Sequence, residues 1–162
     1  MKYLIDRASA ITPKDSLDDL LNSKKSLRIK LGVDPTAPDV TLGWYAILRA
    51  LRKFQDYGHT AVLILGEFTA QVGDPSGKSE TRTQLEENQI DDNSKGVLPI
   101  IKGILNEENL EIVSNKDWLS KLSTSELVHL SSSTTLAQML ERDDFANRYK
   151  EGNPISLMEF FY

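Results

Sequence analysis

Two apolar runs with a helix-length amphipathic segment between them decide most of what this chain can fold into. Leu27-Arg28-Ile29-Lys30-Leu31-Gly32-Val33 alternates with period two and predicts a strand. Thr60-Ala61-Val62-Leu63-Ile64-Leu65-Gly66 predicts a second. Between them Trp44, Ile47, Leu48, Leu51 and Phe54 recur at helical spacing, while Arg49, Lys53 and Asp56 fall on other faces. That spacing predicts an amphipathic helix of about four turns, ended by Gly58. Strand, loop, helix, strand is the order of a parallel βαβ unit, so the expected fold class is α/β, a parallel sheet with flanking helices. Ligands of open parallel sheets bind beyond the carboxyl ends of the strands. The two loops of unusual composition, 34–43 and 67–83, both fall there and are expected to face one crevice.

The first loop opens with Asp34-Pro35-Thr36-Ala37-Pro38-Asp39, whose two prolines exclude a regular helix. The second contains Gly73-Asp74-Pro75-Ser76-Gly77-Lys78-Ser79. Backbone amides and an ammonium group in such a loop suit a phosphate or a carboxylate. A P-loop would require glycine where Val72 stands, which disfavours a P-loop kinase. Past Arg82 the pattern weakens. Gln84–Ser94 is polar and is expected to be mobile, followed by a helix over Val97–Leu105 and a third strand at Leu110–Val113. Ser123-Thr124-Ser125-Glu126 fits a capping box ahead of a short helix. Further helical segments are expected at Leu136–Leu140, at Phe145–Tyr149 and, after Pro154, from Ile155 to Tyr162, where an apolar helix stops uncapped. The chain divides into a helical or irregular lead (1–26) with a possible helix near Ser16–Asn22, a sheet-forming half (27–122) and a helical segment (123–162).

Composition excludes several classes of function. With 162 residues, a net charge of −5 and no dense Lys/Arg stripe, the chain is not built for autonomous nucleic-acid binding. It has no cysteine, so disulfides and thiolate metal sites are out. His59 and His129 are its only histidines and show no metal-ligand spacing. No apolar run approaches the roughly 20 residues of a membrane span, and the one in Met1–Arg7 is too short for a signal peptide. The chain therefore reads as soluble and cytoplasmic.

These motifs resemble the bacterial tyrosyl-tRNA synthetases, class I synthetases with a Rossmann-like catalytic domain, along nearly the whole chain. Leu31-Gly32-Val33-Asp34-Pro35-Thr36-Ala37-Pro38-Asp39 is similar to the family's first nucleotide-site loop. Phe68-Thr69 with Gly73-Asp74-Pro75-Ser76-Gly77-Lys78, and Arg82 at the family's spacing, is similar to the second. Ser114-Asn115-Lys116-Asp117-Trp118-Leu119 and Leu136-Ala137-Gln138-Met139-Leu140-Glu141-Arg142 resemble later segments. Gly-Asp-Pro-Ser-Gly after an apolar strand favours the tyrosine over the tryptophan enzyme. Two departures stand beside the agreement. The class I signature His-Ile/Leu-Gly-His is here Thr41-Leu42-Gly43-Trp44. The family chain is also more than twice as long, continuing into a Gln-Ala-Tyr-Asp segment, a Lys-Met-Ser-Lys-Ser loop and an anticodon-reading domain.

The resemblance implies joining of the tyrosine carboxylate to the α-phosphate of ATP, bound with Mg, and transfer of the acyl group to tRNA-Tyr. It implies no protein-bound metal. Such catalysis is mostly positioning and stabilisation of charge developing on the pyrophosphate. Thr36, Lys78 and Arg82 become the catalytic candidates; Asp34, Thr36, Thr41, Gly43 and Trp44 the ATP-binding ones; Lys30, Thr69, Asp74 and Asn115 the tyrosine-binding ones. Each also has a plainer reading. Thr41 can cap the helix, and Trp44 can face the core or plug the pocket. Asp34 and Asp74 precede prolines and can simply initiate turns. Lys30, Lys78 and Arg82 can be solvated charges, and Thr69 and Asn115 polar residues at strand ends. His59 is expected to connect helix to strand, and His129 to lie at or near the surface. Two functions follow: a tyrosine–tRNA ligase fragment inactive on its own, or a non-catalytic binding or interaction module or degenerate paralogue derived from that enzyme. A homodimer, or association with a complementary fragment, is expected in either case.

Overall fold

Alternation over 28–33 becomes strand β1 (Arg28–Val33), and the apolar run at 60–65 becomes β2 (Thr60–Leu65). The 15-residue helix between them, α2 (Leu42–Asp56), ends before Gly58, which adopts φ 88°. That left-handed conformation is one glycine reaches without steric cost. This computed structural model describes residues 2–13, 20, 25–72 and 85–161. The other elements are α1 (Lys2–Ile5), α3 (Glu67–Val72), α4 (Glu87–Ile104), β3 (Leu110–Ser114), α5 (Lys116–Leu119), α6 (Thr124–Ser131), α7 (Leu136–Met139), α8 (Asp143–Lys150) and α9 (Leu157–Phe161). Apart from Leu20, the helix expected near Ser16–Asn22 lies outside the described residues.

Among the described residues the sheet has three parallel strands in the order β1-β2-β3. Leu31, Leu63 and Ile112 align across it, as do Val33, Leu65 and Ser114. The main core joins Val33, Ala61, Leu63 and Leu65 of the strands to Leu48 and Leu51 of α2 and Val97 and Ile101 of α4. Every strand residue in that cluster has the same parity, so α2 and α4 cover one face of the sheet. Consecutive crossovers of one hand in an unreversed strand order give that result. Trp44 packs against this core and is half-buried, whereas Ile47 of the expected stripe is 52% exposed.

Two expectations are corrected here. The region expected as one loop over 67–83 begins with a helix, α3, so Phe68 and Thr69 are helical. The polar stretch expected to be mobile forms, from Glu87 onward, the first half of the 18-residue α4. Its buried residues, Ile90, Ser94, Val97 and Ile101, fall at i, i+4, i+7 and i+11. One buried position per turn suffices when the other faces are solvated. Glu86 and Gln89 close a capping box at its start.

The opposite, amino-terminal end of the sheet is tied by polar groups. Buried Gln55 donates to Asn106 O (2.8 Å) and Asn109 O (2.9 Å) and accepts from Asn106 N–H (2.9 Å). His59 is the buried connector expected between helix and strand, its Nδ1 accepting from Leu27 N–H at 3.3 Å. The expected capping box of α6 forms between Ser123 and Glu126, and His129 on that helix is exposed.

Candidate functional site

Each strand hands one polar side chain to the carboxyl end of the sheet: Asp34 after β1, Thr69 on the helix after β2, and Asn115 after β3. These three form a hydrogen-bond chain. Asn115 Nδ2 donates to Thr69 Oγ1 (3.0 Å), and Thr69 Oγ1 donates to Asp34 Oδ1 (2.8 Å). Asn115 is only 7% exposed, and its Oδ1 accepts from Phe68 N–H at 2.9 Å. Gly66 lies beneath the chain. A Cβ there would sit 1.7 Å from Asp34 Oδ1 and 2.6 Å from Thr69 Oγ1, so only glycine leaves room for the two to meet.

A cavity of about 670 Å³ opens above this chain. Asp34, Thr36, Asp39, Thr41, Trp44, Thr69 and Asn115 line it together with Gly66. Six of the sequence candidates therefore surround one space. Thr41 has two roles at once: its Oγ1 accepts from Trp44 N–H at 3.3 Å, capping α2, and it borders the cavity. Trp44 likewise bridges core and cavity. Gly43 lies exposed in the first turn of α2 and does not line the cavity; a Cβ there would make only ordinary contact, 3.7 Å from Thr41 Oγ1. Lys30 is exposed and absent from the lining, on a strand position of opposite parity to the core residues. Asp74, Lys78 and Arg82 lie outside the described residues.

The described lining contains two carboxylates, Asp34 and Asp39, and no lysine or arginine. By itself it suits ammonium and hydroxyl donors better than a triphosphate, whose recognition requires positive charge or converging amides. Among the described residues no three His, Asp or Glu side chains are grouped to hold a metal ion, and no helix is long and apolar enough to cross a membrane.

Support for the first loop comes from α4, whose first half falls in the stretch expected to be mobile. Asn93 Nδ2 donates to Pro35 O at 3.0 Å. Gly96 lets the helix approach Pro38 so closely that a Cβ would meet Pro38 O at 2.8 Å. The helix holds a second glycine, Gly103, around which the space is open, so a glycine alone does not signal the contact. A second, apolar cavity of about 740 Å³ lies between α3 and the helices beyond β3, walled by Phe68, Val72, Leu130, Met139 and Phe160, with Thr69 bordering both.

A Rossmann-like half-sheet with its polar residues gathered at the strand carboxyl ends defines a class of protein, and comparison with known families agrees. The family of class I tRNA synthetases (W and Y) matches residues 22–162, and the chain belongs to it. Within it, the similar curated proteins are tyrosine–tRNA ligases. That of Carboxydothermus hydrogenoformans is 49% identical over 148 residues, covering 91% of this chain and 36% of that protein. That of Thermotoga maritima is 47% identical over 162 residues, covering all of this chain and 40% of that protein. Among solved structures, a C-terminally truncated Aspergillus nidulans mitochondrial tyrosyl-tRNA synthetase superposes with a TM-score of 0.74 at 25% identity, over 91% of this chain and 45% of that one. The chain thus spans well under half the length of the curated relatives it matches.

Proposed function

We propose that this chain is the amino-acid- and nucleoside-binding half of a tyrosine–tRNA ligase and does not complete the reaction alone. The observation that carries the reading is the convergence of Asp34, Thr36, Thr41, Thr69 and Asn115 on one cavity at the carboxyl ends of three parallel strands. In this reading the carboxylate-lined cavity takes the tyrosine ammonium group and hydroxyl groups of the substrates. Asp74 adds a further carboxylate, while Thr36, Lys78 and Arg82 engage the phosphates of ATP, delivered with Mg as the substrate complex. Transfer to tRNA-Tyr requires the regions that the longer relatives possess. The setting is cytoplasmic, and residues 27–122 act as the binding unit, with 123–162 as the associating one. A non-catalytic binding module derived from the same enzyme is the second reading; the indole of Trp44, half-buried between core and cavity, favours it.

Calorimetric titration distinguishes the parts of this reading. L-Tyrosine is expected to bind, and Asp34→Asn to weaken it about 10-fold, the effect of one hydrogen bond to a charged group. ATP is expected to bind weakly or not at all, and better after Trp44→His. Absence of tyrosine binding would overturn the reading as a substrate-binding half. Micromolar ATP binding that Trp44→His leaves unimproved would overturn the part given to the indole.

Association is expected through the helical segment beyond β3. Val128, Leu130, Leu136, Leu157 and Phe161 are all more than half exposed there. Large apolar side chains exposed on one segment favour self-association, and closed two-fold pairing is its commonest form. Sedimentation at tens of micromolar is expected to show a dimer or larger species. A stable monomer of 18.2 kDa would exclude it.

A further inference from the structure

We propose that Thr69, Asn115 and Gly66 form a positioning set that fixes the Asp34 carboxylate over the cavity, so that Asp34 meets the ligand and the other three act through it. The inference rests on the substrate-site reading only for the ligand's identity. The geometry behind it is independent of that reading.

The direction of each hydrogen bond leaves Thr69 little capacity for a ligand. Its hydroxyl has one proton, and the nearest acceptor is Asp34 Oδ1 at 2.8 Å; Gly66 O, at 3.1 Å, is the next. Its oxygen already accepts from Asn115 Nδ2. Asn115 in turn receives Phe68 N–H on its carbonyl oxygen. Its own N–H donates to Leu65 O at 2.9 Å, continuing the β2–β3 pairing one residue past the strand. The orientation of the amide is therefore set at both ends, and with it the orientation of the hydroxyl it supports. A half-buried polar chain with this many fixed partners is ordered before any ligand arrives.

Gly66 supplies the space. Its backbone is outside the left-handed region, so conformational freedom is not what the position needs. What it needs is the absence of a Cβ at the point where the Asp34 carboxylate lies. The backbone at Gly66 is itself anchored, its N–H donating to Val33 O at 2.9 Å, so relieving the steric demand by shifting the strand end would strain that bond. Asp34 thus receives a donor from Thr69 and lies in the space that the missing Cβ of Gly66 leaves. A carboxylate held in one rotamer can meet an ammonium or hydroxyl donor without an ordering cost at binding, the advantage preorganisation confers.

The test uses this chain labelled with ¹³C and ¹⁵N. The three-bond couplings from backbone N and C′ to Asp34 Cγ report the side-chain χ1 rotamer directly. The parent is expected to show one rotamer, Thr69→Ser to retain it, and Thr69→Val to show averaged couplings. Gly66→Ala is expected to shift Asp34 to a different rotamer. Amide shifts of β1, β2 and β3 serve as the check that the sheet is intact; should Gly66→Ala disturb them, the Thr69 pair decides. Averaged couplings in the parent, or unchanged ones in Thr69→Val, would overturn the proposal. A second arm titrates L-tyrosine and adenosine. Thr69→Val is expected to weaken the bound probe about 10-fold in the parent, and less than about 2-fold in an Asp34→Asn background, because a residue acting through another gives non-additive effects. Additive losses would make Thr69 a direct ligand and overturn the positioning role. Failure of the parent to bind either probe strikes the functional reading, while the coupling measurements still decide this one.

Discussion

Tyrosine-dependent exchange of pyrophosphate into ATP is expected to be absent from this chain alone. The reason is local. At the two signature positions where the resemblance places histidines, this chain has Thr41 and Trp44. The Thr41 hydroxyl accepts from Trp44 N–H to cap α2, and its side chain is too short and neutral to replace an imidazole. The Trp44 indole packs against the core and borders the cavity, where it takes up space as well as failing to present a ring nitrogen to a phosphate. Loss of one preorganised donor costs about 3–4 kcal/mol in a transition state. Two losses that act partly as a unit cost roughly 10³- to 10⁵-fold. The chain spans 36–40% of the relatives cited, so the expectation is for this chain by itself. The measurement is exchange of labelled pyrophosphate with tyrosine and Mg-ATP. Exchange above a buffer blank that disappears in a Lys78→Ala, Arg82→Ala variant would show that this reasoning is wrong.

How much of this could be read from residues alone differs by region. The βαβ unit was legible because two signals agreed: strand alternation with period two, and an apolar stripe returning at helical spacing through Leu48 and Leu51. The third strand and the α6 capping box were legible for the same local reasons. The amino-terminal half of α4 was not. Residues 87–94 carry one apolar side chain, Ile90, so composition resembles a loop; the helix is fixed by burial of that one position, by the Glu86–Gln89 cap and by packing farther along. α3 was hidden by its neighbours, since the glycine- and proline-rich run after Val72 drew the whole of 67–83 into one loop. At the site, residue types pointed to Asp34, Thr69 and Asn115 separately. Their connection depends on strand register, which places residues 34, 66 and 115 side by side, and no single-sequence pattern encodes that. Lys30 shows the converse: its parity within β1 was already in the alternation and puts it opposite the core-facing residues.

The stability of the segment that walls the apolar cavity is expected to fall in acid through Glu159. This carboxylate is 5% exposed in α9, and the Arg148 guanidinium of α8 grips it with two nitrogens, one of them 3.2 Å from Oε1. Ser156 N–H also donates to Oε1, at 2.9 Å. Beside this pair the rings of Phe145 and Phe160 lie 4.9 Å apart, so the ion pair and the aromatic contact hold α8 and α9 together. The hydrogen bond from Arg148 is the main reason the Glu159 carboxyl sits below the usual glutamate range, with burial opposing it. A carboxyl whose pKa is lower in the folded than in the unfolded chain adds stability above its unfolded value, near pH 4.3. That contribution disappears as pH falls through the folded value. Glu159→Gln keeps the shape but removes the charge, leaving Arg148 one amide oxygen and Pro154 O as acceptors. At pH 7 it is expected to cost about 1–2 kcal/mol, the scale of hydrogen bonds to a charged group, because Arg148 is a quarter exposed. As pH falls from about 5 toward 3 the parent becomes protonated and approaches the variant, so the difference between them should shrink. Urea denaturation across that range, with amide exchange in α8 and α9 read in parallel, measures it. Curves that stay separated by a constant amount down to pH 3 would mean that the Arg148–Glu159 pair is not what holds the two helices together.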